Sequence, residues 1–165
     1  MRMTFRRMAD RRPVETLVER DDGVVFAMRG AGGGADLPHD LVHAVVETAL
    51  PLSDGVWGCV ADGVVWGSMR HVSGRRPPHA AERSARLVQE RRDAVMRAEH
   101  LADVVGRLAR GEQVPAGAVT GVPRERIDAA VVAVRDASRR WAALRVGEEW
   151  VVEWTTSSRG RGRRR

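Results

Sequence analysis

The sequence predicts an α+β domain over residues 1–155, in which N-terminal antiparallel strands are joined by a strand near the C-terminus. The N-terminal third alternates apolar and polar residues with the period of two that strands require. Residues 80–144 instead repeat apolar residues mostly every three or four positions, as helices do. We therefore expect the sheet to pack against a long antiparallel helix hairpin and a shorter, histidine-bearing helix.

The N-terminal strands are predicted from alternation and from a turn signal. Met3-Thr4-Phe5-Arg6 alternates, and the β-prone runs Val14–Arg20 and Val24–Met28 flank Asp21-Asp22-Gly23. An Asp-Gly pair between two such runs is a strong hairpin signal. We expect the two runs to form one antiparallel hairpin, which is followed by the flexible loop Gly30–Ala35.

The loop at Gly30–Ala35 mimics part of a dinucleotide-binding fingerprint, Gly-x-Gly-x-x-Ala before a helix. The preceding strand belongs to an antiparallel hairpin, however, and not to the first strand of a βαβ unit. Asp36 and Asp40 also put negative charge where a pyrophosphate would bind. We therefore do not expect a nucleotide site at this loop.

Residues 37–47, Leu-Pro-His-Asp-Leu-Val-His-Ala-Val-Val-Glu, are the most informative stretch of the chain. Asp36 can cap a helix here and Pro38 suits its first turn, so the stretch predicts an amphipathic helix. At about 100° per residue, the polar side chains share one stripe of the helix opposite the leucines and valines. The residues of that stripe are His39, Asp40, His43 and Glu47.

The two histidines of this helix are candidate metal ligands. Imidazoles at i and i+4 can chelate one zinc ion, and His39-Asp40-Leu41-Val42-His43 resembles the H-E-x-x-H helix of metalloproteases. The resemblance implies Asp40 as a candidate catalytic base, although Asp is one methylene shorter than the Glu of that motif. Glu47 is an awkward third ligand, because it lies about 12 Å along the helix axis from His39. A third ligand would come from elsewhere, and the nominal candidates are Cys59, Asp62, His71, His79, Glu82 and His100.

The middle of the chain, residues 54–69, allows two structures. Its four glycines and its Val and Trp content permit either two strands joined at Asp62-Gly63 or a tightly packed short helix, which we expect. Cys59 is expected to be a core residue and not a nucleophile, because its immediate neighbours are apolar and none is basic.

The second half of the chain predicts two long helices and a final strand. Ser73–His79 breaks the chain and opens one helix, which ends at Gly111. A second helix runs from about Arg124 to Leu144, and the two should pack as an antiparallel hairpin. The strand at Trp150–Trp154 has no partner nearby in sequence, so it should pair with the N-terminal strands.

Charge is concentrated at the C-terminus. Residues 156–165 hold five arginines and no acid, so the remainder is nearly neutral although the whole chain carries a formal charge of +6. We expect a disordered Arg/Gly-rich tail that could contact nucleic acid non-specifically through residues 159–165; a solvated end without a partner is the interpretation that we favour.

Arg75 and Arg76 precede a helix N-terminus and are candidate anion ligands, with a solvated loop as the favoured alternative.

The single cysteine excludes an internal disulfide, and no run approaches the ~20 apolar residues of a membrane span. With no secretion signal, we expect a cytoplasmic protein that does not contact a membrane.

The chain also has no Lys, Asn or Tyr, which is typical of a GC-rich genome. Leu37–His43, Trp57–Ala61 and Ser73–His79 resemble an uncharacterised family of small actinobacterial proteins over roughly residues 1–155, and this resemblance implies no activity.

Three functional classes remain from the sequence. We favour a non-catalytic binding or interaction module acting through an unidentified protein partner, because no complete catalytic set is visible and a Trp could anchor an interface. One alternative is a zinc-binding protein or metal-dependent hydrolase that uses His39 and His43. Against it stands a solvated polar stripe with two ordinary histidines, which we consider the simpler reading of that helix. The other alternative is a nucleic-acid binder that uses the Arg-rich ends.

Overall fold

A computed structural model describes residues 1–9, 12–30 and 34–155, and it has the predicted α+β architecture. One antiparallel sheet of five strands packs against the helices. The described elements are β1 (Arg2–Arg6), β2 (Glu15–Glu19), β3 (Val25–Arg29), α1 (His39–Ala49), α2 (Val56–Ala61), β4 (Met69–Ser73), α3 (Ala80–Glu90), α4 (Arg92–Ala109), α5 (Arg124–Ala143) and β5 (Glu149–Glu153). The predicted tail, residues 156–165, lies outside the described residues.

The predicted hairpin is confirmed as β2 and β3, which pair antiparallel. Gly23 in the turn has a φ of +79°, a conformation that glycine adopts without the strain a side chain would add. The Asp22 side chain accepts a hydrogen bond from the Val24 amide at 3.2 Å and forms an ion pair with Arg20. The Asp-Gly signal therefore located the turn correctly.

The predicted closure of the sheet by the C-terminal strand is also confirmed. The strand order is β4-β3-β2-β1-β5, and β5 pairs antiparallel with β1 so that Phe5 lies opposite Trp150. Beyond the strands, the Met1 amino group donates to the Trp154 carbonyl oxygen at 3.1 Å and to Asp21 Oδ1 at 2.6 Å. The Trp154 amide donates a hydrogen bond to the Met1 carbonyl oxygen at 2.7 Å. Both ends of the described domain are thus tied together.

The short helix expected within residues 54–69 is confirmed as α2, and Cys59 is fully buried in it. The single long helix expected across residues 79–111 is wrong, because α3 and α4 meet at Arg91. The Arg91 guanidinium pairs with Asp62 at 2.6 Å and lies 3.6 Å from an Asp54 oxygen, which anchors this junction to α2. Helix α3 buries only Ser84, whereas α4 buries a continuous stripe, so the two helices face different surroundings.

Helix α1 lies between two apolar clusters. One cluster packs the sheet, α2 and the end of α5 against Leu41 and Ala44 of α1. The other packs α4 and α5 against Val46 of α1 and Leu50. Helices α4 and α5 pack on each other, as the predicted hairpin requires. In the part of the chain that is described, every helix is too short or too polar to cross a membrane.

Candidate metal centre

Two polar residues of α1, His43 and Glu47, lie in the protein interior. Each is only 1% exposed, whereas the His39 side chain remains 55% exposed. The solvated stripe expected for this helix is therefore wrong at His43 and Glu47. The reason is tertiary: α2 and α4 both pack against α1, so polar positions that would face water in an isolated helix are covered.

The Glu47 carboxylate makes three polar contacts. Oε1 accepts a hydrogen bond from the Val56 amide at 2.9 Å, and Oε2 accepts one from the Trp57 amide at 3.1 Å. These amides begin α2, whose N-cap is Gly55 and which has no side-chain cap from its own segment. A Cβ on Gly55 would come 2.6 Å from the Glu47 carboxyl carbon, so glycine is needed for this approach. Glu47 therefore caps α2 from a neighbouring helix.

The third contact of Glu47 is to His43. The Nδ1 atom of His43 lies 3.2 Å from Glu47 Oε1, and its Nε2 atom lies 3.1 Å from Glu99 Oε2 on α4. Burial by itself lowers the pKa of His43, but the hydrogen bond to Glu47 and the charges of Glu99 and Glu47 outweigh it and raise that pKa. Both ring nitrogens thus face carboxylate oxygens, an arrangement that suits an imidazolium or a metal-bound imidazole.

His39 completes the group. Its ring packs edge-on against the His43 ring with centroids 4.7 Å apart, and its Nε2 lies 4.0 Å from Glu99 Oε2. One ligand atom from each of His39, His43 and Glu99 lies within 4.8 Å of the other two. These three residues form a group that could hold a metal ion, and we call it the metal centre.

Asp40 lies beside this centre but points elsewhere. Its Oδ2 atom is buried with no hydrogen-bond partner among the described residues, and a Cβ on Gly30 would overlap it. Burial raises the pKa of Asp40, while the charges of His39 and His43 act in the opposite direction. The Asp40 carbonyl oxygen accepts a bond from Trp57 Nε1 at 2.8 Å, which fixes the backbone at this point. A catalytic role for Asp40 stays a prediction.

Glu99 is the member of this group that the sequence did not indicate. It follows the buried Ala98 and so borders the apolar stripe of α4, but nothing in the sequence relates that position to α1. None of the side chains nominated as a third ligand joins the metal centre within the described ranges. Their contacts are Cys59 with the Asp54 carbonyl, Asp62 with Arg91, His71 with the Gly74 carbonyl, His79 with Glu82 and His100 with the Ala118 carbonyl.

The metal centre opens to the surface. His39 lines a shallow groove together with Ala102 and Asp103 of α4, and Arg110 lies further along the same groove. Glu99 is half exposed, so the side of the centre away from Glu47 is accessible to solvent.

The candidate anion ligands Arg75 and Arg76 lie exposed in the segment between β4 and α3. No described contact connects them to the metal centre, so an anion pocket there stays a prediction. The nucleic-acid contact predicted for residues 159–165 lies outside the described residues.

Neither a protein-family model, nor a curated protein, nor a solved structure matches this chain. The resemblance to an actinobacterial family therefore stays a prediction. The chemistry of the metal centre has to be argued from its own geometry.

Proposed function

We propose that this protein binds a divalent metal ion, with zinc preferred, through His39, His43 and Glu99. The observation that supports this most is the placement of His43: its Nε2 points at Glu99 while its Nδ1 is held by the buried Glu47. A buried carboxylate on the far nitrogen fixes the tautomer and orientation of a histidine ligand, and such partners are common around metal-binding histidines.

The distances are close to those of a zinc site. Four ligands at 2.0–2.1 Å in a tetrahedron stand about 3.3–3.4 Å from one another. His43 Nε2 and Glu99 Oε2 are 3.1 Å apart, so this edge is nearly formed. His39 Nε2 is 4.0 Å from the same oxygen, and the three ligand atoms lie within 4.8 Å of one another, so the His39 ring must move by up to about 1.5 Å to reach the tetrahedral edges. Its exposed side chain has room for that adjustment.

The donor set favours zinc among common ions. Two imidazoles and one carboxylate suit zinc, whereas magnesium and calcium prefer oxygen ligands. Binding would replace the proton of His43 Nε2 with the metal ion. Uptake should therefore strengthen as the pH rises through the raised pKa of His43.

A metal-dependent hydrolase is the second candidate function, and the exposed face of the centre favours it. Three protein ligands with one accessible position are typical of catalytic zinc sites, whereas structural sites are closed by four. Zinc held in this way supplies a Lewis acid and lowers the pKa of a bound water to about 7. The groove that starts at His39 would give a substrate access to that position.

The proposal is tested by zinc content and by competition with a chromogenic chelator, using tag-free protein. Wild-type protein should bind close to one equivalent of zinc, and His43→Ala or Glu99→Gln should reduce its affinity at least about tenfold. His79→Ala is the matched control, since His79 also pairs with a carboxylate, at 2.9 Å from Glu82, but on the surface. Wild-type protein that takes up no zinc after incubation and dialysis would refute metal binding.

A further inference from the structure

The sheet has an outer face that none of the described helices covers. Strand residues alternate between the core and this face: Met3 and Phe5 are fully buried, whereas Arg2 and Arg6 are exposed and Thr4 is half-buried. Side chains from all five strands surround one shallow concavity on it. Outward-pointing residues on this side include Arg2, Thr4 and Arg6 of β1, Glu15, Leu17 and Glu19 of β2, Ala27 and Arg29 of β3, Arg70 and Val72 of β4, and Glu149, Val151 and Glu153 of β5.

Apolar side chains concentrate on this outer face. In the part of the chain that the structure describes, six large apolar side chains are exposed, and three of them lie here. Those three are Leu17, Val72 and Val151, at 36%, 45% and 38% exposure. Two of the three, Leu17 and Val151, flank Thr4 in the register of the sheet. Leu17, Thr4 and Val151 form an uncharged row across β2, β1 and β5, which we call the apolar row.

Charged rows border this apolar row on both sides. Arg2 stands between Glu19 and Glu153, and its guanidinium lies within 3.7 and 3.8 Å of their carboxylate oxygens. At the other end of the strands, Arg6 stands opposite Glu15 and Glu149. Strand β1 thus carries positive charge, whereas β2 and β5 carry negative charge in the same two rows.

We propose that this outer face is the interface with a second copy of the chain, related by a two-fold axis that runs parallel to the strands, midway between β1 and β2. Such an axis places β1 of each copy over β2 of the other. It brings Arg2 opposite Glu19 of the second copy, and Arg6 opposite Glu15. One step outwards, β3 faces β5, so that Arg29 meets Glu149.

The charge pattern excludes an axis that runs along a strand. Among axes midway between two strands, this one opposes the most unlike charges, because an axis between β1 and β5 overlaps only those two strands. An axis along β2 would place Glu15 and Glu19 against the same residues of the second copy, and an axis along β1 would do the same with the two arginines. Like charges directly opposed cost free energy, whereas alternating charges form networks. The axis between the two strands also sets Leu17 over Thr4 and Val151 over Ala27, which buries the apolar row.

The size of the face sets the strength of the association. Four overlapping strands spaced about 4.8 Å apart and five residues long cover roughly 19 by 17 Å. Counted on both copies, that is roughly 650 Å², which is below the ~1,200 Å² of stable complexes and in the range of weak, transient association. We therefore expect a reversible dimer with a dissociation constant of roughly 1–100 µM.

The test is sedimentation velocity of the full chain at about 150 mM salt, with a chelator present so that no metal ion bridges two copies. Wild-type protein should shift from monomer to dimer between about 1 and 300 µM. Leu17→Asp should weaken dimerisation at least about tenfold, because it puts a carboxylate into the apolar row. Val132→Asp, at a site that is 55% exposed on α5, should have no effect.

A pair of charge variants tests the axis itself. Arg6→Glu and Glu15→Arg should each abolish self-association, because each places like charges across the interface. Mixed in equal amounts, the two variants should form a heterodimer, because every reversed residue then meets an opposite charge. A wild-type protein that is monomeric throughout the range, or a mixture that stays monomeric while the wild type dimerises, would overturn the proposal. If Leu17→Asp fails to fold, the mixture of Arg6→Glu and Glu15→Arg tests the interface without it.

Discussion

Replacing Glu47 by Gln should destabilise the metal-free protein. The buried carboxylate accepts hydrogen bonds from the Val56 and Trp57 amides and contacts His43. The near-isosteric amide keeps one acceptor oxygen but turns an NH₂ group towards a donor. A charged hydrogen bond contributes about 1.5–3 kcal/mol, and a buried donor left without a partner costs about 1–3 kcal/mol. We expect a loss of about 2–4 kcal/mol for Glu47→Gln.

The assay is urea unfolding of chelator-treated protein, followed by tryptophan fluorescence. With an m-value of about 2 kcal/mol per molar urea, the expected loss lowers the midpoint by about 1–2 M. Glu82→Gln is the control: Glu82 contacts His79 at the surface, where its side chain is 78% exposed, so the midpoint should barely change. Equal midpoints for the two variants would show that Glu47 does not anchor α2 as described.

Glu47→Gln also tests whether the orientation of the His43 ring contributes to zinc affinity, because Glu47 is not itself a proposed zinc ligand. Because Glu47 holds the far nitrogen of His43, Glu47→Gln should weaken zinc binding about 10–100-fold without removing a ligand. An unchanged zinc affinity would mean that the His43 orientation is set by packing alone.

Four further predictions follow from the same contacts. In metal-free protein, the stabilisation from His43 should be complete below about pH 6.5 and lost as the pH rises through its raised folded-state pKa. Urea midpoints of wild type and His43→Gln should therefore converge from about pH 6 to pH 9, and a constant difference would contradict the ion pairs. Gly58→Ala should cost more than about 2 kcal/mol, since its Cβ would overlap the Ser53 carbonyl oxygen; an unchanged melting temperature would exclude that contact. Cys59 is fully buried and burial raises the pKa of its thiol, so iodoacetamide should label it only in unfolded protein, and rapid labelling of native protein would refute its burial. Trp150→Ala should cost about 3–5 kcal/mol in a urea titration, because Trp150 is 9% exposed and packs under Arg140.

The elements that the sequence predicted are those with local signals. The Asp-Gly turn, the alternation around Trp150 and the helical period of α5 each depend on residues close in sequence, and all three are confirmed. Strand β4 was missed because it is an edge strand on which only Met69 is buried, so it shows no alternation. The junction at Arg91 was missed because its partners, Asp54 and Asp62, flank α2, which is distant from Arg91 in sequence.

The metal centre was only half visible in the sequence, for the same reason. His39 and His43 share a helix, and their spacing identified them as a pair. Glu99 lies on α4, and its distance from them is set by how α4 crosses α1, which no spacing rule predicts. Glu47 was judged as a ligand from its distance along the helix axis. Its actual position, capping α2 and holding His43, depends on a fold that brings the two helices together.

The pairing of β1 with β5 sets an order on folding. The hairpin of β2 and β3 and the helices α3 to α5 are built largely from contacts that are local in sequence, so they can form early. The free edge of β1 pairs only when residues 149–153 fold against it, and closing this long loop costs conformational entropy. Until then, the edge of β1 is unpaired and Phe5 lacks its buried neighbour Trp150, whereas in the folded protein the unpaired edge belongs to β5. The period before β5 docks is therefore when this protein is most prone to aggregate, and faster docking of β5 should improve its yield.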